Sequence, residues 1–284
     1  MMKSHRMGEL TVRELETYLK GNQTVILPYG VVEQHGYHLP LDTDIRNAAV
    51  LGDKLAEALD CVVAPTLNYC FSGGMLTGTV NVKPNTFANL VGEIIESLAQ
   101  QGFRNIIVLP GHGGSESLFH LKESLRILKW LNPALAEVMI MLVPPWNFMP
   151  KWVEAFKDRD YHAGMVETSL LLAWCPEVVR SEIVLDEIEV AERLRLDPDS
   201  YQERRAFTRS TDEIPHTRQR ADVKVGVMGH PGRASAELGH ELTAQFAANA
   251  GRELGALLRE TAEKRLSGER IELAAIEEMR LLNL

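Results

Sequence analysis

Two patterns of apolar residues alternate along this chain. Continuous apolar runs stand at 25–27 (VIL), 61–65 (CVVAP), 105–109 (NIIVL) and 138–143 (VMIMLV). Runs of this kind are the mark of strands buried on both faces. Between and after them, apolar residues recur at helical spacing over 45–59, 86–101, 116–130 and 234–261. Thr11-Val12-Arg13-Glu14 resembles a capping box that opens a short helix ending near Gly21, and Gly102 stands where a helix C-cap is expected. The run GTVNV at 78–82 reads as an edge strand or a hairpin arm. Strands alternating with helices predict an α/β fold with a largely parallel sheet covered on both faces. In such sheets ligands bind beyond the carboxyl ends of the strands.

Two stretches break the alternation. Residues 144–160 are aromatic and irregular, which suits a loop folded over a pocket or a face packed against another subunit. Residues 181–222 are charged and weakly periodic, and read as a surface excursion able to contribute to a pocket wall. A polar, separate helix is expected after 261. With no repeat and no clear linker, the chain reads as one domain over 1–284 with that excursion and a C-terminal helical tail.

The densest chemistry lies in ILPYGVVEQHGYHLPLDTD, 26–44. On an extended backbone Glu33 and His35 project to the same side while Gln34 points away. Pro40 turns the chain, and Asp42-Thr43-Asp44 brings back two more carboxylates. Carboxylate with imidazole suits zinc, manganese or iron. The structural alternative is a polar strand-to-helix loop with Asp44 as the N-cap.

Two further clusters reach the same rim. His112 sits in GHGGS directly after the 105–109 strand, where flanking glycines permit close backbone approach. As a phosphate cradle this loop lacks the lysine and the spacing of a P-loop. In HAGMVETS, 162–169, helical spacing places Glu167 on the stripe of Leu170, Leu171 and Trp174. A carboxylate on a buried face requires a cation, a metal or a shifted pKa. His162 lies just ahead of that helix, placed to act on substrate without being a ligand. Glu33, His35, His112 and Glu167, with Asp44 as a bridge, match a two-metal hydrolytic centre. Such a centre acidifies a water and stabilises the oxyanion formed on attack at a carbonyl. A neutral-range histidine beside it can protonate a leaving nitrogen, so the reaction class is hydrolysis of an amide-like C–N bond.

Composition narrows the partners. A net charge of −9 argues against a general nucleic-acid binder. No apolar run has the length of a membrane span, and the N-terminal residues lead into no signal-peptide core. Cys61, Cys70 and Cys175 lack zinc-type spacing, and Cys61 and Cys175, which sit in apolar runs, fit packed thiols in a reducing cytoplasm.

The blocks ILPYGVVEQHGYHLPLDTD, VLPGHGGSES, HAGMVETSLLLAW and VGVMGHPGRASAELG, in this order over 24–239, resemble the creatininase (creatinine amidohydrolase) family. The resemblance implies a three-layer αβα sandwich, a pair of divalent metals, a small-molecule substrate and a homo-oligomer, usually a hexamer. It carries the metal ligands onto Glu33, His35, Asp44 and His112, with Asp44 bridging, and the substrate-side histidine onto His162. Three departures stand out. Members acting on creatinine have an acidic ligand where this chain has Gly114; here the pattern resembles the larger group in which Glu167 takes over. A Trp-Asp pair ahead of the substrate histidine is replaced by Asp158-Arg159. A His and a Pro found in many members are replaced by Gly73 and Thr77. These departures argue against creatinine as substrate. Amide or formamide cleavage is expected, with ring-opening C–C hydrolysis of an oxidised inositol and a non-catalytic metal-stabilised binding protein as the alternatives.

Overall fold

A computed structural model of the chain describes residues 3–273. Thr11 caps α1 (Val12–Leu19) through the expected reciprocal box: its hydroxyl accepts from Glu14 N–H, and the Glu14 carboxylate accepts from Thr11 N–H at 2.8 Å. β1 (Thr24–Tyr29) is buried at all six positions and leads through a loop into α2 (Thr43–Leu59). β2 (Val62–Val63), α3 (Pro84–Gln101), β3 (Asn105–Pro110), α4 (Ser115–Leu131) and β4 (Met139–Leu142) complete the sheet region. The four strands pair in parallel in the order β2-β1-β3-β4, with Ile26 opposite Ile107 at the centre. After them come α5 (Pro150–Lys157), α6 (Met165–Trp174), α7 (Ile188–Leu196), the antiparallel hairpin of β5 (Gln202–Arg205) and β6 (His216–Gln219), and α8 (Ala236–Ser267).

The strand order explains the position of the site. From β1 the chain moves outward to β2, then crosses back and moves the other way through β3 to β4. Right-handed crossovers therefore put α2 on one face of the sheet and α3 with α4 on the other. In keeping with this, α2 packs against α6 and α8, while α3 packs against α4. Where connections from two neighbouring strands leave for opposite faces, a crevice opens at their carboxyl ends. Here that crevice lies between β1 and β3, and the loops that begin at Gly30 and Gly111 frame it.

Both loops start with a glycine because the first turn of α2 fills the crevice. A Cβ at Gly30 would lie 2.5 Å from the Ile45 nitrogen, and one at Gly111 would lie 2.0 Å from the Asp44 carbonyl oxygen. No side chain fits in either gap. Asp44 itself is not the N-cap; that position is Asp42, and Asp44 lies inside the first helical turn, 1% exposed.

Other expectations need correction. Residues 78–82 form no strand. Their backbone is divided between two loops, Val80 N–H donating to Val32 and Val82 N–H to Cys70, so no ladder forms. The aromatic stretch at 144–160 is largely helical, with a short 3-10 turn and α5 directing Trp146, Trp152 and Phe156 inward as one cluster. β4, wholly apolar, is only half-buried because it is the sheet's edge. α8 continues past 261 to Ser267, and from 274 the expected terminal helix lies outside the described residues.

If the crevice depends on the missing side chain, Gly111→Ala should cost about 1–3 kcal/mol through overpacking. Gly232→Ala, whose new Cβ would meet nothing within 4 Å, should be near neutral. Urea unfolding of the two variants compares them directly.

Candidate metal centre

The loop from 30 to 42 leaves β1 and closes on itself, Glu33 N–H donating to the Leu41 carbonyl at 2.9 Å. That closure carries the chain straight back to Asp44. The two Asp44 oxygens then face two different imidazoles. Oδ1 is 3.1 Å from His35 Nε2, and Oδ2 is 3.0 Å from His112 Nδ1. Glu33 Oε2 lies 3.2 Å from the same His112 nitrogen, and Glu167 Oε2 lies 3.7 Å from His35 Nε2. Three ligand-capable groups result among the described residues. One sets His162 beside Glu33 and His35, and the other two, Glu33/Asp44/His112 and His35/Asp44/Glu167, share Asp44. All five side chains of the two groups that share Asp44 are buried. The structure thus brings together every residue that the sequence singles out as a metal ligand.

This donor set calls for cations. Three buried carboxylates converge with no Lys or Arg among their ion-pair partners in the described residues. Uncompensated, such charges are strongly unfavourable. His35 adds a tautomer argument. Its Nδ1 lies 3.1 Å from the Glu33 carbonyl oxygen, an acceptor, so the ring proton belongs on Nδ1. Nε2 faces two carboxylate oxygens, so it needs either a second ring proton or a bound cation there. Ligand atoms bound to one ion at about 2.0–2.2 Å stand roughly 3–3.5 Å apart, which matches most of the spacings found. The residues fit a pair of divalent metals.

The titration behaviour of the bare cluster expresses the same demand. Burial works against a charged imidazole, yet the surrounding carboxylates, Asp44 foremost for His35 and Glu33 for His112, hold both histidines above their ordinary value. Burial also opposes ionisation of Asp44, but the imidazoles of His35 and His112 hold it below the usual carboxylate range. Glu167 goes the other way, burial pushing it up to about 7.

Each carboxylate terminal to the bridge has a hydrogen-bond donor of its own, Glu33 on the oxygen away from His112 and Glu167 on the oxygen that faces His35. Ser72 Oγ donates to Glu33 Oε1 at 2.7 Å, and Ala163 N–H donates to Glu167 Oε2 at 2.6 Å. Ser72 is a residue that sequence reasoning passed over, the only signal being a hydroxyl in the Gly-rich loop. Asn81 braces that loop, accepting from Ser72 and Gly73 N–H and donating to the Gly74 carbonyl. Gly114 has no room for an acidic ligand, since its Cβ would lie 2.3 Å from His112 Nε2.

His162 stands beside the cluster. Its ring lies 4.3 Å from that of His35 by centroid, and its Nε2 is 2.8 Å from the Gln34 carbonyl oxygen and 3.1 Å from the Gln34 side-chain amide nitrogen, an acceptor and a donor that favour opposite tautomers. Burial, and then His35, push it down to about 4, well below the unperturbed imidazole value that its place in the sequence implies. A cavity of about 550 Å³ opens over these groups. Trp146, Trp152, Phe156 and Tyr161 form one wall, and Asp199, Tyr201 and Gln219 from the 181–222 region contribute another. That region is therefore more than a surface excursion.

Parallel-sheet topology with clustered carboxylates and imidazoles at the switch point defines a metal-dependent α/β hydrolase. The family model for creatinine amidohydrolase matches residues 8–254, and the chain belongs to the creatininase family. It is 29% identical over 205 residues to creatinine amidohydrolase of Pseudomonas putida, covering 66% of this chain and 78% of that protein. Against the mycofactocin precursor peptide peptidase of Mycolicibacterium smegmatis it is 28% identical over 252 residues, 84% of this chain and 86% of the relative. A 3-dehydro-scyllo-inosose hydrolase of Thermotoga maritima is 27% identical over 194 residues, 62% of this chain and 58% of the relative. A crystal structure of creatinine amidohydrolase superposes with a TM-score of 0.72 at 23% identity, covering 90% of this chain and 98% of that one. Creatininase structures of the same fold include a Zn–Zn form and a Mn form.

With both ligand groups intact, the purified chain should hold up to two divalent ions, measurable by elemental analysis after reconstitution. Glu167→Gln removes a charge from one group and should strip at least one ion while the fold persists. Wild-type metal occupancy in that variant would show that Glu167 is not a ligand.

Proposed function

We propose that this protein hydrolyses an amide-type C–N bond of a small molecule, using two divalent metals held by Glu33, Asp44 and His112 on one side and His35, Asp44 and Glu167 on the other. The observation that carries the reading is the single carboxylate of Asp44 shared between two imidazole-carboxylate groups at the floor of a cavity. Divalent ions at such a site supply an acidified water and positive charge for the oxyanion of the attacked carbonyl. Zinc and manganese are the leading identities, with iron compatible with the same ligands.

The chain's own residues set the rest of the chemistry. With its pKa depressed by burial, His162 is neutral near pH 7. It enters the reaction as a proton acceptor. Having taken a proton from the attacking water, it is the group placed to pass that proton to the departing nitrogen. The aromatic wall excludes water from the scissile bond and offers flat apolar surface to the substrate.

The lining also restricts the substrate. A volume of about 550 Å³ lies in the range that takes ligands of drug-like size, so the cavity has room for a substrate larger than a lone five-membered ring. Glu116 and Asp199 lie in the wall, and none of the lining residues is Lys or Arg. Carboxylate-bearing substrates find no counter-charge there, whereas neutral or cationic amides do not need one.

His162→Ala should keep both metals and lose about 10²–10⁴ in kcat. Metal loss, or near-normal turnover, would show that the histidine has another role. The substrate itself is sought with metal-loaded protein on cyclic amides, formamides, peptide amides and cyclic polyol ketones, with product detection. Within each amide series the neutral or cationic member should be turned over with higher kcat/KM than its carboxylate analogue. Turnover of the ketones alone would replace C–N by C–C cleavage.

A further inference from the structure

The block VGVMGHPGRASAELG contributes no metal ligand, yet its first half is tied down at both ends by a buried carboxylate. Asp186, 8% exposed, accepts from the backbone N–H groups of Lys224 at 2.6 Å, Val225 at 3.0 Å and Gly226 at 2.7 Å. Asp160, 2% exposed, accepts from His230 N–H at 2.7 Å, and also from Met165 and Val166 N–H at 2.7 and 3.1 Å. Neither carboxylate has an ion-pair partner among the described residues; each is satisfied by three main-chain donors. Charge-assisted hydrogen bonds of this kind are about twice as strong as neutral ones.

Between the two anchors the segment pairs with the backbone of His162. Met228 N–H donates to the His162 carbonyl, and Tyr161 N–H donates to the Met228 carbonyl, both at 2.8 Å. His162 needs such support. It is flanked by Arg159 and Ala163, non-glycine residues at φ of 63° and 51°, a conformation that persists only where the surroundings impose it. The segment also reaches the ring from the other side. Gly226 lies so close to Gln34 that a Cβ would be 2.7 Å from its amide nitrogen, and Gln34 holds His162 Nε2 through its carbonyl. Gly229 must be bare for the same kind of reason, since its Cβ would lie 2.4 Å from Asp160 Oδ1.

We infer that Asp160 and Asp186 are positioning residues for His162, acting through the 224–230 segment that they clamp from either end. The inference rests on the role proposed above for His162. Asp160 also caps α6 and so supports Glu167, whereas Asp186 bonds only to the backbone of the segment.

The test uses the full-length, metal-loaded chain with Asp186→Asn and Asp160→Asn, each of which keeps one acceptor oxygen and sets an amide NH₂ against one of the three donors. Hydrogen exchange is read first. Protection of the Tyr161 and Met228 amides should fall in both variants, and that of Val166 only in Asp160→Asn. Asp186→Asn should retain wild-type metal content. On a turned-over substrate its kcat should drop by up to about 100-fold, the scale of a misplaced catalytic group, with KM little changed. In a His162→Ala background the same substitution should have no further effect on kcat. Unchanged protection at Tyr161 and Met228, or an equal loss of kcat in both backgrounds, would overturn the proposal. The exchange measurement needs no substrate, so it separates failure of the clamp from failure of the hydrolase reading. Should Asp160→Asn not fold, Gly229→Ala displaces the same carboxylate from the segment and must reproduce the loss of protection at Met228, or the proposal fails.

Discussion

A carboxylate placed where water cannot reach it must find positive charge, and here one carboxylate makes that demand in two directions. Asp44 sits in the first turn of α2, whose free N–H groups and dipole favour an anion. Its two oxygens then fix where His35 and His112 stand. Everything around it follows from that placement. The helix must start exactly at the crevice, so the ends of β1 and β3 carry glycine. The loop between β1 and α2 must close tightly, so Glu33 bonds back to Leu41. The remaining carboxylates, Glu33 and Glu167, gather because a site for divalent charge needs more negative charge than Asp44 alone can give.

Such a site is expensive before it is filled. The bare cluster holds acceptor atoms against one another, and protons on the histidines are a poor substitute for ions of higher charge. Stability must therefore come from elsewhere. The fully buried β1 and β3, with Phe87, Phe103 and Phe246 packed around them, provide a core that does not depend on the cluster. A rigid sheet holding a locally unfavourable site is the arrangement in which ligand atoms stay poised for ions that have not yet arrived.

How much of this could be read from the residues alone depends on the range of the interaction. Buried strands declare themselves by apolar runs, and most of the metal-capable side chains follow those runs, so the five residues and the rim that gathers them were legible. β4 shows the limit: an edge strand of MIML carries the same apolar signature as a central one, and only the order of pairing exposes its outer side. GTVNV at 78–82 has strand-like residues but no neighbour offering a continuous ladder. Asp160 and Asp186 were invisible for another reason. Their partners include main-chain N–H groups up to 70 residues away, and a backbone donor has no letter in the sequence. The depressed pKa of His162 was missed likewise, because burial is a property of the assembled pocket.

The division of labour along the chain has a consequence for how such a fold diversifies. Three of the five metal-capable residues come from the loops after β1 and β3, and a fourth, Asp44, from the first turn of α2. Part of the cavity wall comes from later segments, the aromatic α5 region and the stretch from Pro198 to Gln219. Insertions, deletions and exchanges in those later segments can remodel what enters the cavity without disturbing the ions' seat. Inheritance then acts on two nearly independent modules, one that keeps the reaction type and one that is free to drift towards new compounds.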